Sequence, residues 1–189
     1  MGINEPIVGV LFERAVHQAD GATAIKTDRP VLLETEVGFT LGKPITKPVT
    51  EHDVFDAITH CRGMIELASP NLQQRPTSVD LISNNSASYG CIVGASNKHP
   101  LDIDLDAIPV TLRRLAAEDE VLHTATAGSV MAGQRDALIW LINSTLAQGY
   151  TLQAGHMLMT GSIGSMHSGK AGKYRADLGA LGDLTFALG

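Results

Sequence analysis

Val31, Leu33, Val37, Phe39 and Leu41 recur with a period of two, so residues 31–41 predict a strand with one apolar side. Glu34 and Glu36 then project together from its opposite face, roughly 6 to 7 Å apart along the chain. Residues 44–50 read as a loop. A helix signal follows: Thr50 as cap, Glu51 and Asp53 in the first turn, and Val54, Ala57, Ile58 and Cys61 at helical spacing, for about three turns. Residues 64–68 are apolar except for Glu66, and Pro70 bars further helix, so this stretch predicts an extended segment with one inward carboxylate.

Further along, a short capped helix is expected over 77–86 and a buried strand over 90–94, with a polar connection over 102–109. Residues 110–113 and 121–124 predict an antiparallel pair joined by a loop. The strongest helical pattern lies over 136–148. There Ala137, Leu138, Leu141, Ile142 and Thr145 share one side, Trp140 adds area beside them, and Gly149 is placed as a stop. Residues 156–160 look strand-like, a Gly/Ser-rich loop runs to Gly172, and two short strands meet at a turn around 178–182. No internal repeat or long linker interrupts residues 1–189, which read as a single domain. Strands and few helices without regular βα alternation favour an α+β fold with a mixed, curled sheet, roll-like or barrel-like in form.

Composition narrows the function classes. The chain has 189 residues, 44% of them apolar but only 4% aromatic, so the core must be built from aliphatics and alanine. It carries 14 Lys+Arg against 20 Asp+Glu, a net charge of −6, and no basic cluster, which argues against a nucleic-acid partner because phosphate backbones demand clustered positive charge. Cys61 and Cys91 stand too far apart for a CxxC site and are too few for a disulfide framework, as expected of a cytoplasmic protein. The first residues lack the basic and long apolar regions of a secretory signal, and no apolar run approaches the ~20 residues that span a bilayer, so no membrane role is expected.

The main chemical candidate is Glu34, Glu36 and Glu66. Two carboxylates on one strand and a third on a neighbouring apolar segment suit a hard divalent cation, Mg²⁺ or Mn²⁺; the competing reading is a solvated sheet face with a locally hydrogen-bonded Glu66. Residues 164–171 nearly match the phosphate-cradling GxxxxGK[ST] loop, but Ala171 lacks the hydroxyl and no helix pattern follows, which leaves a Gly/Ser loop at the mouth of a sheet. The seven histidines form no HxxxH, no GxSxG accompanies a serine, and Asn84-Asn85 suits a turn cap.

Asn4-Glu5-Pro6 with Gly9-Val10-Leu11, the Glu34-Thr35-Glu36 strand, Val54 through Glu66, Ile82-Ser83-Asn84-Asn85, and Thr160-Gly161-Ser162, taken in order, resemble the fumarylacetoacetate hydrolase superfamily. The nearest branch is that of the 2-oxo-4-enoate hydratases and 4-oxalocrotonate decarboxylases. The resemblance implies the fold of that family's C-terminal domain. It also implies metal-ligand roles for Glu34, Glu36 and Glu66, with Glu34 and Glu66 taking part in catalysis. The metal would chelate the 2-oxo and carboxylate oxygens of a small 2-oxo acid and stabilise its enolate, through which water adds to a dienoate or a carboxylate is lost. Thr160, Gly161 and Ser162 match the family's TGS and would receive a substrate carboxylate, with Asn84 a further substrate contact.

The departures from the family pattern are equally specific. The N-terminal segment of the branch, whose lysine reaches the active site, has no counterpart in this sequence. Asn4 and Ile7 stand where the family carries acids, Ser69 and Asn71 where an Asp and an Arg usually follow the third glutamate, and Asn84-Asn85 where the family has Asp-Asn. Lys170 or His167 is then the candidate replacement for a proton donor. The first reading is a metal-dependent lyase acting by hydration or decarboxylation. The second is a catalytically weak, shortened relative that binds a ligand or serves as partner subunit of a related decarboxylase or hydratase. A hydrolase of C–C bonds is disfavoured, because such relatives use a His-Glu pair in an N-terminal lid that is not seen here. A homo-oligomer is expected, to cover the sheet face that a longer N-terminal portion would bury.

Overall fold

The structure is a computed structural model and describes residues 5–189 other than 22, 73, 75 and 96. In chain order its elements are β1 (Val16–Gln18), β2 (Ala24–Ile25), β3 (Leu32–Leu41), β4 (Ile58–Ala68), α1 (Ser78–Ser83), β5 (Ser88–Val93), β6 (Pro109–Leu115), β7 (Glu120–Thr126), α2 (Gln134–Ala147), β8 (Met157–Met159), β9 (Ile163–Ser168), β10 (Gly172–Asp177) and β11 (Asp183–Leu188). One sheet has the order β1-β5-β4-β3-β8, with β9 also on β3; the other runs β2-β11-β10-β6-β7. Both are mixed, since β1 joins β5 and β2 joins β11 in parallel while the remaining pairs are antiparallel. The expected α+β fold with curled, mixed sheets is what forms.

The alternation in β3 builds the core. Leu33, Val37 and Phe39 are fully buried and join Ile65 and Leu67 of β4 in one apolar cluster with Leu112, Tyr174, Leu184 and Phe186 of the second sheet. The sheets approach closely at Gly63, where a Cβ would come within 2.8 Å of both Leu178 Cδ1 and Leu184 Cδ1, so a side chain is excluded by packing. Tyr174 and Phe186 stack at 5.2 Å in the same region.

Two elements differ from expectation. The helix expected from Thr50 shrinks to a single 3₁₀ turn, Val54–Ala57, and Ile58 already opens the eleven-residue β4. Thr50 N–H and its hydroxyl both donate to Asp53 Oδ1, at 2.6 and 2.9 Å, but the turn begins only after Asp53 and has no side-chain cap. Beyond that turn the helical spacing loses to β-branched Ile58 and Thr59 and to ladder pairing along the whole of β3, a tertiary gain no local window contains. The Gly/Ser-rich stretch before Gly172 is likewise strand rather than loop over Ile163–Ser168, because β3 offers it partners at Thr35, Leu33 and Leu32. Lys170 therefore sits in the turn between β9 and β10, where no helix follows to complete a phosphate loop.

The other elements agree with the pattern. Thr77 and Asp80 form a capping box on α1, and Gly149, at φ +83°, follows α2 as its stop. The start of α2 is held from outside the helix: Asp106 Oδ1 accepts the Gln134 N–H at 2.7 Å, since Gly133 at the cap has no side chain to offer. Asp106→Ala should cost about 1 kcal/mol, the usual worth of an N-cap, and lower the thermal midpoint by about 2–4 °C. An unchanged midpoint in differential scanning calorimetry would show that water replaces the carboxylate without loss.

Among the described residues no helix is long and apolar enough to cross a membrane.

Candidate metal centre

The three glutamates meet on the face of the first sheet opposite the main core. Antiparallel register sets Glu34 directly across from Glu66, and the two-residue repeat of β3 puts Glu36 on the same side, across from Met64. One carboxylate oxygen from each lies within 4.8 Å of the others. An octahedral Mg²⁺ with oxygens about 2.1 Å away sets neighbouring oxygens roughly 3 Å apart, so the three carboxylates would draw together on such an ion. Glu36 is 2% exposed, which removes the solvated-face reading for that residue.

Burial is the main force on these groups. It pushes the Glu34 carboxyl up to about 7, with the Glu66 charge adding to it. Glu36 is held well above the usual carboxylate range by burial and then by Glu66, although the Gly161 N–H donates to its Oε2 at 2.8 Å. Glu66 is also raised by burial, against the opposing help of Ser88 and Glu36. The Ser162 hydroxyl lies near enough to Glu34 to ease its charge, yet its oxygen is buried and completes no hydrogen bond of normal geometry. Three acid oxygens drawn together in a low-dielectric place, beside an orphaned hydroxyl, form a donor set short of positive charge. The residues fit a hard divalent ion.

The triad lies in a cavity of about 1090 Å³. Met64, Met157 and Met159 with Leu11 and Val16 form an apolar patch beside it, distinct from the main core, while Trp140 and Leu141 of α2 provide another wall. The segment around Val10 crosses this face because Asn85 grips it: Val10 N–H donates to Asn85 Oδ1 at 2.8 Å, and Asn85 Nδ2 donates to Val10 O at 2.7 Å. Ser86 Oγ adds a bond to Val8 O at 2.8 Å. Asn85 adopts φ +52°, a conformation asparagine tolerates better than most residues.

Of the candidate residues, Thr160, Gly161 and Ser162 line this cavity with the triad. The Thr160 hydroxyl proton is already committed inward, to Gln134 Oε1 at 2.6 Å. Asn84 lies apart: it ends α1, and its amide donates to Pro70 O rather than lining the cavity. Lys170 and His167 belong to a different recess, of about 240 Å³, with Arg114, Glu120 and Tyr174. Asn4 lies outside the described residues.

A histidine pair escaped the sequence reading because its members are 44 residues apart. Thr35 Oγ1 donates to Ile163 O at 2.9 Å, so it accepts from His123 Nε2 at 3.1 Å. That leaves His123 Nδ1 to accept from His167 Nε2 at 3.0 Å. Burial and the neighbouring His167 hold His123 below its ordinary range. Thr35 stands between Glu34 and Glu36 on β3 and faces the other way, so this chain of bonds braces the strand from behind.

No protein-family model matches the chain. Individual proteins do. It is 27% identical over 189 residues to 2-keto-4-pentenoate hydratase 2 of Dechloromonas aromatica (strain RCB), covering 98% of this chain and 71% of that protein. It is 29% identical over 194 residues to 2-oxo-hept-4-ene-1,7-dioate hydratase of Escherichia coli, covering 97% and 71%. Its fold matches that of 4-oxalocrotonate decarboxylase from Pseudomonas putida G7, complexed with magnesium and adipate. The TM-score is 0.87 at 20% identity, over 100% of this chain and 72% of that one. The resemblance carried by the ordered sequence motifs is borne out.

Proposed function

We propose that this chain, a relative of the 2-keto-4-pentenoate hydratases with the fold of 4-oxalocrotonate decarboxylase, is a divalent-metal-dependent lyase that hydrates or decarboxylates a small 2-oxo or 2-hydroxy-dienoic acid. The observation that carries this reading is the convergence of half-buried Glu34 and Glu66 with buried Glu36, whose ionised forms a divalent cation would stabilise together. These three residues would hold Mg²⁺ or Mn²⁺, and the magnesium in the decarboxylase complex supports the same assignment. When bound, the ion supplies a Lewis acid for the oxygens of a 2-oxo acid.

The chain's own groups supply the rest. Ser162 offers an unpaired hydroxyl at the edge of the cluster, suited to a substrate oxygen. Gly161 spends its N–H on Glu36 and so aims that carboxylate. The methionine wall and Trp140 exclude water from the hydrocarbon part of a substrate while adapting to its shape. Lys170 lies in the other recess, so the proton donor is to be sought among groups lining the cavity. Val79 and Ile82 on α1 are exposed apolar side chains, in keeping with the expected homo-oligomer.

The test follows the ultraviolet absorbance of 2-hydroxypenta-2,4-dienoate with purified protein, with and without Mn²⁺, beside a Glu34→Ala/Glu36→Ala variant. Decay that needs Mn²⁺ and disappears in the variant is the expected result. Absence of decay on this and on 2-hydroxymuconate-type substrates, with Mn²⁺ still bound by calorimetry, would remove the lyase reading and favour a partner subunit.

A further inference from the structure

We infer that Gln134 is a positioning residue for the metal centre, acting on Glu36 through Thr160 and Gly161; this rests on the proposed metal-ligand role of Glu36. Gln134 is a polar side chain with no exposed surface, at the first position of a helix whose buried residues are otherwise mostly aliphatic. Its amide is oriented without ambiguity. Nε2 donates to Ala127 O at 2.7 Å, which turns Oε1 toward Thr160 to accept that hydroxyl's proton at 2.6 Å. The Gln134 backbone is in turn pinned by Asp106. The amide thus fastens the end of β8 to a fixed helix start.

The consequence appears one residue later. Gly161 adopts φ +107°, outside the range of ordinary side chains, and this turn directs its N–H to Glu36 Oε2 at 2.8 Å. Thr160 is also tied to β3, its N–H donating to Val37 O at 3.3 Å, but that contact is long, and its one hydroxyl proton is already given to Gln134. The short bond to Gln134 is the one that fixes where the Thr160–Gly161 peptide stands, and with it one oxygen of a fully buried carboxylate. Partners that orient a metal ligand typically contribute 10- to 100-fold to metal affinity. Acting one step further out, Gln134 is expected at about the lower end of that range.

Mn²⁺ titration by calorimetry, paired with thermal melts, tests this. Gln134→Leu should weaken Mn²⁺ binding about tenfold, whereas Thr160→Ser, which keeps the hydroxyl, should stay within about twofold of wild type. The double variant Gln134→Met/Thr160→Val removes both ends of the Gln134–Thr160 bond together, so it should recover part of the stability lost in Gln134→Leu, the Ala127 carbonyl still lacking its donor, while its Mn²⁺ affinity remains low. It carries the same test if the single variant does not fold. Wild-type affinity in a folded Gln134→Leu, or recovery of both stability and affinity in the double variant, would overturn the inference and leave the metal centre intact. A wild-type protein that binds no Mn²⁺ would instead remove the proposed metal role and this inference with it.

Discussion

Glu66→Gln is expected to weaken Mn²⁺ binding more than ~100-fold, beyond what loss of a mere supporting partner costs. In the metal-free protein at pH 8 it should also raise the thermal midpoint. The two effects have one cause. Glu66 adds its charge to the burial that already raises both Glu34 and Glu36, so without an ion its carboxylate serves mainly to repel. Glutamine keeps the shape, removes the charge, and can still pair with Ser88 and Glu36. If it recovers about 1–2 kcal/mol, the midpoint of a chain this size rises by about 2–8 °C. Calorimetric titration and thermal melts on the same samples decide it. Mn²⁺ affinity within threefold of wild type would show that Glu66 is not a ligand, and a lowered midpoint would show that its hydrogen bonds outweigh its repulsion.

The metal-free protein should lose stability as pH rises, and Mn²⁺ should restore it most at high pH. Glu34 titrates near 7 when folded and close to 4.5 when unfolded. Between those values the folded state holds a proton that the unfolded state has released, so stability falls as pH increases; the contribution is fully present below about 4.5 and lost above about 7. For Glu34 alone the difference amounts to about 3 kcal/mol, and the raised values of Glu36 and Glu66 act in the same direction. Metal binding needs the same groups ionised and therefore competes with protons. Thermal melts from pH 5 to pH 8.5, with Mn²⁺ or with a chelator, should show a falling midpoint in the chelator series and a Mn²⁺-induced rise that grows with pH. A rise equal at pH 5.5 and pH 8 would mean that the ion binds elsewhere.

The residues of the candidate centre were legible because their signals are local, while the preference for the metal reading came from the family resemblance. Period-two alternation places Glu34 and Glu36 on one face of β3, and a lone acid in an apolar run marks Glu66 as a group that needs a partner. The ordered Thr160-Gly161-Ser162 was visible without a structure only as a match to the family's motif. The helix α2, the capping box of α1 and the β6–β7 pair follow from spacings of three to four residues, from cap residues and from alternation, all contained within a short window. Asn85 could be read only as a turn residue, because its task is to grip Val10, 75 residues away.

Features whose energy comes from distant partners lay beyond any local window. Residues 58–61 carry a helical spacing but become strand because β3 supplies partners for Ile58, His60 and Cys61 around a bulge at Thr59, and Ile163–Ser168 is strand for the same reason. Register, rather than composition, sets Glu66 opposite Glu34, and a shift of one residue would have sent it into the main core. Burial then changes the chemistry of the three acids, turning ordinary carboxyls into groups that titrate high or need a cation. Which side chains are available, and which face of a strand each occupies, follow from residue order alone, since both depend on backbone periodicity. Only the packed structure could determine their charge state, the separation of Lys170 from the cavity and the hold of Gln134 on Thr160, because these depend on desolvation and on contacts between segments far apart in the chain.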